Sequence, residues 1–100
     1  MARRAARIDA NQTEIVSALR SVGAKVQSLA AVGCGTPDLL VGYRGDLYLI
    51  ECKDGTKPPS ARGLTDDQKA WHEAWAGYPV YVITCADEGL QVLSTSWGDK

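Results

Sequence analysis

Two acidic residues and a lysine have a spacing that predicts a divalent metal site. Asp38 precedes an apolar run, and Glu51 and Lys53 close the next one, separated from each other by Cys52. Mg²⁺ prefers oxygen ligands, usually one or two carboxylates together with water and a phosphate, and the main-chain carbonyl of Cys52 is a further candidate ligand. A lysine beside such a metal can orient a water for in-line attack or offset charge on the phosphate.

A β-hairpin would bring these residues together. Arg44 and Gly45 separate the two apolar runs and suit the centre of a two-residue turn. Continuing the antiparallel register from that turn puts Asp38 opposite Glu51, with Cβ atoms about 5 Å apart. Because side chains on a strand repeat with period two, Lys53 shares the face of Glu51. A three-residue loop would instead shift the pairing and separate the two acids.

The charge of this trio allows two interpretations. Two carboxylates directly across a ladder repel each other, and a bound divalent cation would remove that repulsion. The alternative is a solvent-exposed group of Asp38, Glu51 and Lys53 held by ordinary ion pairing, which contributes little to stability. The apolar character of the flanking strands favours the metal site.

The elements that would position this site follow the order αβββαβ with a short tail, which predicts an α/β fold. Helical spacing of Ile15, Val16, Leu19 and Val22 predicts a first helix over 9–22, with Asp9 or Asn11 as its N-cap and Gly23 as its end. The remaining predicted elements are an edge strand over 24–30, a small-residue loop over 33–37, hairpin strands over 38–43 and 46–52, a surface loop over 54–63, a helix from the N-cap Thr65 to about Ala76, a strand over 78–84 and an element over 87–93. Neither hairpin strand alternates cleanly, which predicts that both are covered on both faces.

Composition limits the class of protein. One hundred residues with 45% hydrophobic and 23% charged side chains suit a single globular domain over 1–100, with 1–8 expected to be a flexible arm. The sequence contains no apolar run long enough to span a membrane and no signal-type stretch, so we expect no membrane partner and a cytoplasmic location. Three cysteines without C-x-x-C spacing and a lone histidine argue against zinc and favour reduced structural thiols.

Around the predicted site the sequence resembles the PD-(D/E)xK nuclease superfamily. The motif residues are Pro37-Asp38, then a hairpin, then Glu51-Cys52-Lys53. A more specific resemblance, to the VRR-NUC branch and its compact stand-alone versions from phages and prophages, lies in the run TPDLLVGYRGDLYLIECKDG, followed by LTDDQ at 64–68 and WHEAW at 71–75. The resemblance extends over roughly 11–93.

This resemblance implies a restriction-endonuclease-like fold, a mixed sheet with a central hairpin flanked by helices. It also implies hydrolysis of DNA phosphodiesters with Mg²⁺ or Mn²⁺ in a bacterial host or phage-infected cell. Asp38 and Glu51 match the metal-binding acids and Lys53 the motif lysine, while Gln68 matches a glutamine beside the catalytic centre. Glu14 lies where relatives carry a first-helix acid that can complete the metal shell, although a solvated surface glutamate fits it as well.

The resemblance further implies a homodimer acting on branched DNA such as four-way junctions, in the manner of a Holliday junction resolvase. The alternatives are a nicking or restriction-type endonuclease working with a partner protein, and a catalytically silent DNA-binding module. The net charge of −1 provides no overall basic signature, so DNA contacts would fall on a local group of Lys57, Arg62 and Lys69. A role for His72 at the site stays open beside a helix-surface role, and Trp71 and Trp75 fit a core or a dimer interface better than a base-stacking surface.

Overall fold

Four strands form one mixed sheet in the order in which they follow along the chain. The computed structural model describes residues 10–95, and its strands are β1 (Lys25–Ser28), β2 (Leu39–Tyr43), β3 (Asp46–Cys52) and β4 (Val80–Ile83). The pairs β1–β2 and β2–β3 are antiparallel, and β4 runs parallel to β3. The helices are α1 (Ala10–Ser21), α2 (Asp66–Ala74) and α3 (Ala86–Leu93), with a 3-10 helix at Pro59–Ala61 before α2. This is the predicted αβββαβ order with a helical tail.

The central hairpin has the predicted turn and register. Arg44 and Gly45 have φ angles of 52° and 88°, the positive values that a two-residue turn needs to match the twist of its strands. Pairing then continues without interruption to Leu39 opposite Ile50. The predicted register is confirmed as far as this pair, and continuing it by one residue on each strand reaches Asp38 on one side and Glu51 on the other.

The hydrophobic core lies between one face of the sheet and two helices. Alternate residues of the hairpin strands point to this face, and α1 contributes Ile15 and Leu19, both completely buried. The helix α3 packs against α1 and contacts β4. The buried apolar residues of the described chain are Ile15, Leu19, Ala24, Leu39, Val41, Tyr48, Ile50, Cys52, Ile83 and Leu93.

The opposite face of the sheet is only partly covered, so the expectation that both hairpin strands are covered on both faces is wrong for the described chain. Leu47 is 63% exposed there, and Leu40, Leu49 and Val80 are half-buried. The helix on this side is α2, none of whose residues is buried. It therefore contacts the sheet through polar side chains and does not cover it with buried apolar residues, as α1 does on the other face. We call Leu40, Leu47, Leu49 and Val80 the open sheet face.

Smaller differences concern the ends of elements and the thiols. Helix α2 and strand β4 are each shorter than predicted by a few residues, while Thr65 caps α2 as expected. Of the two N-cap candidates for α1, Asp9 lies outside the described residues, as does the expected arm over 1–8, and Asn11 lies inside the helix. Cys52 is buried, whereas Cys34 and Cys85 are exposed free thiols. Within 10–95, none of the helices combines the length and apolar character that crossing a bilayer requires.

Candidate active site

Asp38 is held at the end of the hairpin by the main chain of the neighbouring strand. Its Oδ2 accepts a hydrogen bond from the backbone N–H of Cys52, with a donor–acceptor distance of 2.7 Å. A short bond of this kind to an ionised acceptor is among the stronger hydrogen bonds in proteins. Asp38 is half-buried, and its own carbonyl accepts from Leu29 N–H at 2.8 Å, which fixes its main chain against the segment that follows β1.

Glu51 is the most deeply buried charged group of the site. It is 2% exposed, although its side chain lies on the face of β3 opposite the core. Its Oε2 accepts from Gln68 Nε2 at 3.0 Å and lies 4.0 Å from Lys53 Nζ. Because a buried carboxylate is costly unless it is paired and hydrogen-bonded, these two contacts offset part of the free-energy cost of burying Glu51.

Lys53 is fixed through both its main chain and its side chain. Its Nζ donates to Gln68 Oε1 at 2.8 Å, and its backbone N–H donates to Ile83 O at 2.9 Å. Its carbonyl accepts from Asn11 Nδ2 at 2.8 Å, and Asn11 Nδ2 also donates to Thr84 O at 3.1 Å. The ammonium is thus directed at the same side of the sheet as Glu51.

Asn11 lies at the site although its place in the sequence indicates only a candidate N-cap. Its side-chain amide joins the first turn of α1 to the ends of β3 and β4. A signal was present in the sequence: Asn11, Ile15 and Leu19 are spaced four apart and so lie on one stripe of the helix. A polar residue that continues a buried stripe needs a buried hydrogen-bond partner.

Gln68 links the two motif residues of β3 to the start of α2. Its Oε1 accepts from Thr65 N at 2.9 Å as well as from Lys53 Nζ, while its own backbone N–H donates to Thr65 Oγ1 at 3.2 Å. These reciprocal bonds form a capping box, which satisfies two helix N-terminal donors at once. The same amide therefore caps α2 and bridges Glu51 and Lys53.

The donors that could hold a metal are all oxygens. They are the carboxylates of Asp38 and Glu51 and the carbonyl of Cys52, which points to the β2 side of the strand because its N–H does. An all-oxygen set of this kind suits Mg²⁺ or Mn²⁺. Glu14 is exposed on α1, and the described residues contain no group of three or more His, Cys, Asp and Glu side chains that could hold a metal. The structure therefore places Asp38 and Glu51 at the same end of the hairpin, and Glu14 forms no such group with them.

His72 lies near the ammonium of Lys53, one turn beyond Gln68. Burial, and then the positive charge of Lys53, hold the pKa of its imidazole below the usual 6.5. Its Nε2 is buried and has no hydrogen-bond partner within 10–95. A neutral imidazole is thus favoured next to the site.

The other residues singled out from the sequence surround this centre less closely. Lys57 and Lys69 are exposed and Arg62 is half-buried, so their predicted contact with DNA stays a prediction. Trp71 and Trp75 stack with ring centroids 5.0 Å apart, and Tyr78 meets Trp75 edge-on at 5.4 Å. Trp75 is 42% and Tyr78 61% exposed, which excludes a core position for these two rings in the isolated chain.

Comparison with known proteins identifies a solved structure with a similar fold. No family model matches the chain, and no curated protein matches it. Among solved structures, the chain is similar to a "VRR_NUC domain" with a TM-score of 0.61 and 25% sequence identity, over 86% of this chain and 92% of that one. VRR_NUC domains are nuclease-type domains. The chain has the fold of a VRR_NUC domain, and this likeness supports placing it in the VRR-NUC branch of the PD-(D/E)xK superfamily.

Proposed function

We propose that this protein is a metal-dependent DNA endonuclease that hydrolyses phosphodiester bonds at the site formed by Asp38, Glu51 and Lys53. The observation that carries the proposal is the bridging of Glu51 and Lys53 by one amide, that of Gln68, at the hairpin end where Asp38 lies. A buried carboxylate, a second carboxylate and a fixed ammonium on one side of a sheet end have a direct use in phosphoryl chemistry. The VRR_NUC likeness supports the nuclease class.

The side chains divide the work of this reaction. Asp38, Glu51 and the Cys52 carbonyl would hold Mg²⁺ or Mn²⁺, which when bound supplies a Lewis acid for the phosphate and a more acidic water. Lys53 presents its ammonium where it can hold the attacking water or offset charge that develops on the phosphate. Gln68 would keep Lys53 and Glu51 at a fixed separation through its two hydrogen bonds, which lowers the cost of ordering them for the reaction.

The substrate we propose is branched DNA such as a four-way junction, cut by a homodimer. Each described chain has one candidate centre, and cleavage of two strands related by a twofold axis calls for two. The open sheet face supplies an apolar surface that a second copy can cover. A nicking or restriction-type enzyme would use the same centre with a different protein on that face.

The test is a cleavage assay with purified protein on four-way junction, flap, nicked and linear DNA, with Mg²⁺, Mn²⁺ or a chelator. We expect metal-dependent cleavage with preference for the junction, and its loss in Asp38→Asn and Glu51→Gln. Glu73→Gln is the matched control, because Glu73 is an exposed acid on α2. Cleavage of linear duplex alone, or only with an added protein, would favour the nicking or restriction type. Binding without cleavage in every condition would favour the silent module and refute the proposal.

A further inference from the structure

The loop before Asp38 touches the first turn of α2, on which Gln68 lies. Gly33 to Thr36 form a tight turn closed by Thr36 N–H to Gly33 O at 3.1 Å, with positive φ at Cys34 and Gly35. A Cβ atom built on Gly35 would overlap the main-chain carbonyl of Asp67 and lie 3.0 Å from Gln68 N. The glycine is thus needed here for close approach as well as for its φ of 82°.

The contact between Gly35 and Asp67 affects where α2 lies, because the helix has few other contacts with the described part of the sheet. None of its residues is buried, so it lacks the apolar anchoring that fixes α1. Its first turn is located by Gly35 on one side and, through Gln68, by Glu51 and Lys53 on the other. A shift of that turn by the width of a methyl group moves the amide that holds both motif residues.

Thr65 completes the positioning from the N-cap of α2. Its hydroxyl accepts from the backbone N–H of Gln68, and its own N–H donates to Gln68 Oε1, the atom that also accepts from Lys53. The side-chain conformation of Gln68 is therefore tied to the geometry of the helix start.

We infer that Gly35 and Thr65 are positioning residues of the catalytic centre, acting through Gln68 on Glu51 and Lys53. Neither touches substrate or metal. Gly35 sets where the first turn of α2 lies, and Thr65 sets how Gln68 projects from it. The inference rests on the proposed nuclease function for its effect on cleavage, but its effect on Gln68 can be measured without cleavage.

The chain offers a close control for Gly35→Ala. Gly33 belongs to the same turn and has a φ of 71°, yet a Cβ there would have nothing within 4 Å. Gly33→Ala and Gly35→Ala therefore carry the same kind of backbone strain, and only the second meets α2. A difference between them reports the contact with α2 rather than the strain.

The first readout is the side-chain amide resonance of Gln68 in a nitrogen-15 spectrum, assigned from its loss in Gln68→Ala. We expect Gly35→Ala to shift this resonance and to weaken Mn²⁺ binding measured by calorimetry, with Gly33→Ala close to wild type in both. The second readout is kcat on the preferred DNA, which should fall on the order of 100-fold in Gly35→Ala with KM little changed, as expected for a misplaced site. In the Gln68→Ala background, adding Gly35→Ala should lower kcat no more than adding Gly33→Ala does.

Thr65 provides a second test should Gly35→Ala fail to fold. Thr65→Ala should shift the Gln68 resonance and lower kcat, and Thr65→Ser, which keeps the capping hydroxyl, should restore both. Equal behaviour of Gly33→Ala and Gly35→Ala, a normal Gln68 resonance in Thr65→Ala, or effects that persist in the Gln68→Ala background would each overturn the inference. If wild-type protein cleaves no DNA, the proposed function fails, and the resonance and Mn²⁺ comparisons still decide the inference.

Discussion

At the scale of single residues, the three charged groups of the site have separable duties. Asp38 and Glu51 offer oxygen donors, whereas the Lys53 ammonium, held at 2.8 Å from Gln68 Oε1, cannot bind a cation. Lys53→Ala should lower cleavage on the order of 100-fold or more, as loss of one oriented donor to a transition state does. Its Mn²⁺ affinity should not fall, since removing the positive charge of Lys53 takes away a repulsion on the cation.

A calorimetric Mn²⁺ titration checks this division. Asp38→Asn and Glu51→Gln should bind Mn²⁺ much more weakly, while both keep an oxygen that can accept their present hydrogen bonds and so should fold. Lys69→Ala is the control, because Lys69 is an exposed lysine next to Gln68. Equal loss of Mn²⁺ affinity in Lys53→Ala and Glu51→Gln would contradict the separation of roles.

His72 should make stability depend on pH in a defined direction. Its folded-state pKa lies below 6.5 because of burial and the charge of Lys53, so as the pH falls the unfolded chain takes up the proton first. The stabilisation is complete above about pH 6.5 and declines as the pH falls through that value, until the folded-state pKa is reached. Urea unfolding of wild type and His72→Gln on both sides of this pH measures it.

The chain contains one histidine, so no second imidazole contributes to the same range of pH. On acidification, the free energy of unfolding of wild type should therefore fall relative to that of His72→Gln. A difference that is constant across the range would show that the His72 pKa is the same in the folded and unfolded chains.

At the scale of elements, the hairpin turn is where local backbone chemistry sets the site. Gly45 has a φ of 88°, and a Cβ there would have nothing within 4 Å, so Gly45→Ala meets strain without a clash. It should destabilise the fold by about 1–2 kcal/mol, the usual cost of a left-handed conformation for an L-residue. The Mn²⁺ affinity of the folded protein should be unchanged, because the pairing on to Leu39 and Ile50 keeps the register of the hairpin end next to the two acids.

Gly63→Ala is the comparison for this turn. Gly63 has open space around it and no positive φ, so a methyl group there costs little and restricts the unfolded chain. It should leave stability unchanged or raise it by about 0.4–1 kcal/mol. Thermal unfolding of both variants gives the result, and equal effects would mean that Gly45 is not needed for the turn.

The same turn explains why the sequence predicts so much of the site. A two-residue connection leaves one antiparallel register, and side-chain alternation then fixes which residues share a face, so Asp38, Glu51 and Lys53 follow from spacing alone. Thr65 and Gln68 were also accessible, because a capping box is a local pattern of residues three apart. These features depend on residues that are close together in the sequence, so the sequence alone indicates them.

The parts that were not predicted depend on contacts between distant elements. That α2 contributes no buried residue cannot be seen in its spacing of Trp71 and Trp75, which looks apolar whether or not a partner covers it. The hydrogen bonds from Asn11 to Lys53 and Thr84 span 42 and 73 residues, and no local pattern specifies them. The approach of Gly35 to Asp67 is of the same kind, since it depends on how the β1–β2 loop and α2 pack.

At the scale of the whole molecule, the open sheet face is an apolar surface that the described part of the chain covers only partly. Leu47 is 63% exposed on β3, and Trp75 and Tyr78 are exposed in the segment that follows α2, the helix on that side of the sheet. Exposed large apolar side chains of this kind can mark a protein interface. The apolar residues of this face also explain why the sequence predicts that the hairpin strands are covered on both faces.

Leu47→Asp tests whether a second copy provides that cover. A carboxylate at the centre of an apolar interface must be desolvated, so dimer affinity should fall at least about tenfold, equivalent to about 1.4 kcal/mol. Val32→Asp is the control, because Val32 is similarly exposed, at 59%, in the loop between β1 and β2. Sedimentation at micromolar concentration should show dimer for wild type and Val32→Asp, and monomer for Leu47→Asp. With the dimer lost, paired cuts in a four-way junction should give way to single cuts, because each centre then acts alone. A wild-type protein that stays monomeric with and without junction DNA would contradict the homodimer and leave the open sheet face to a different protein partner.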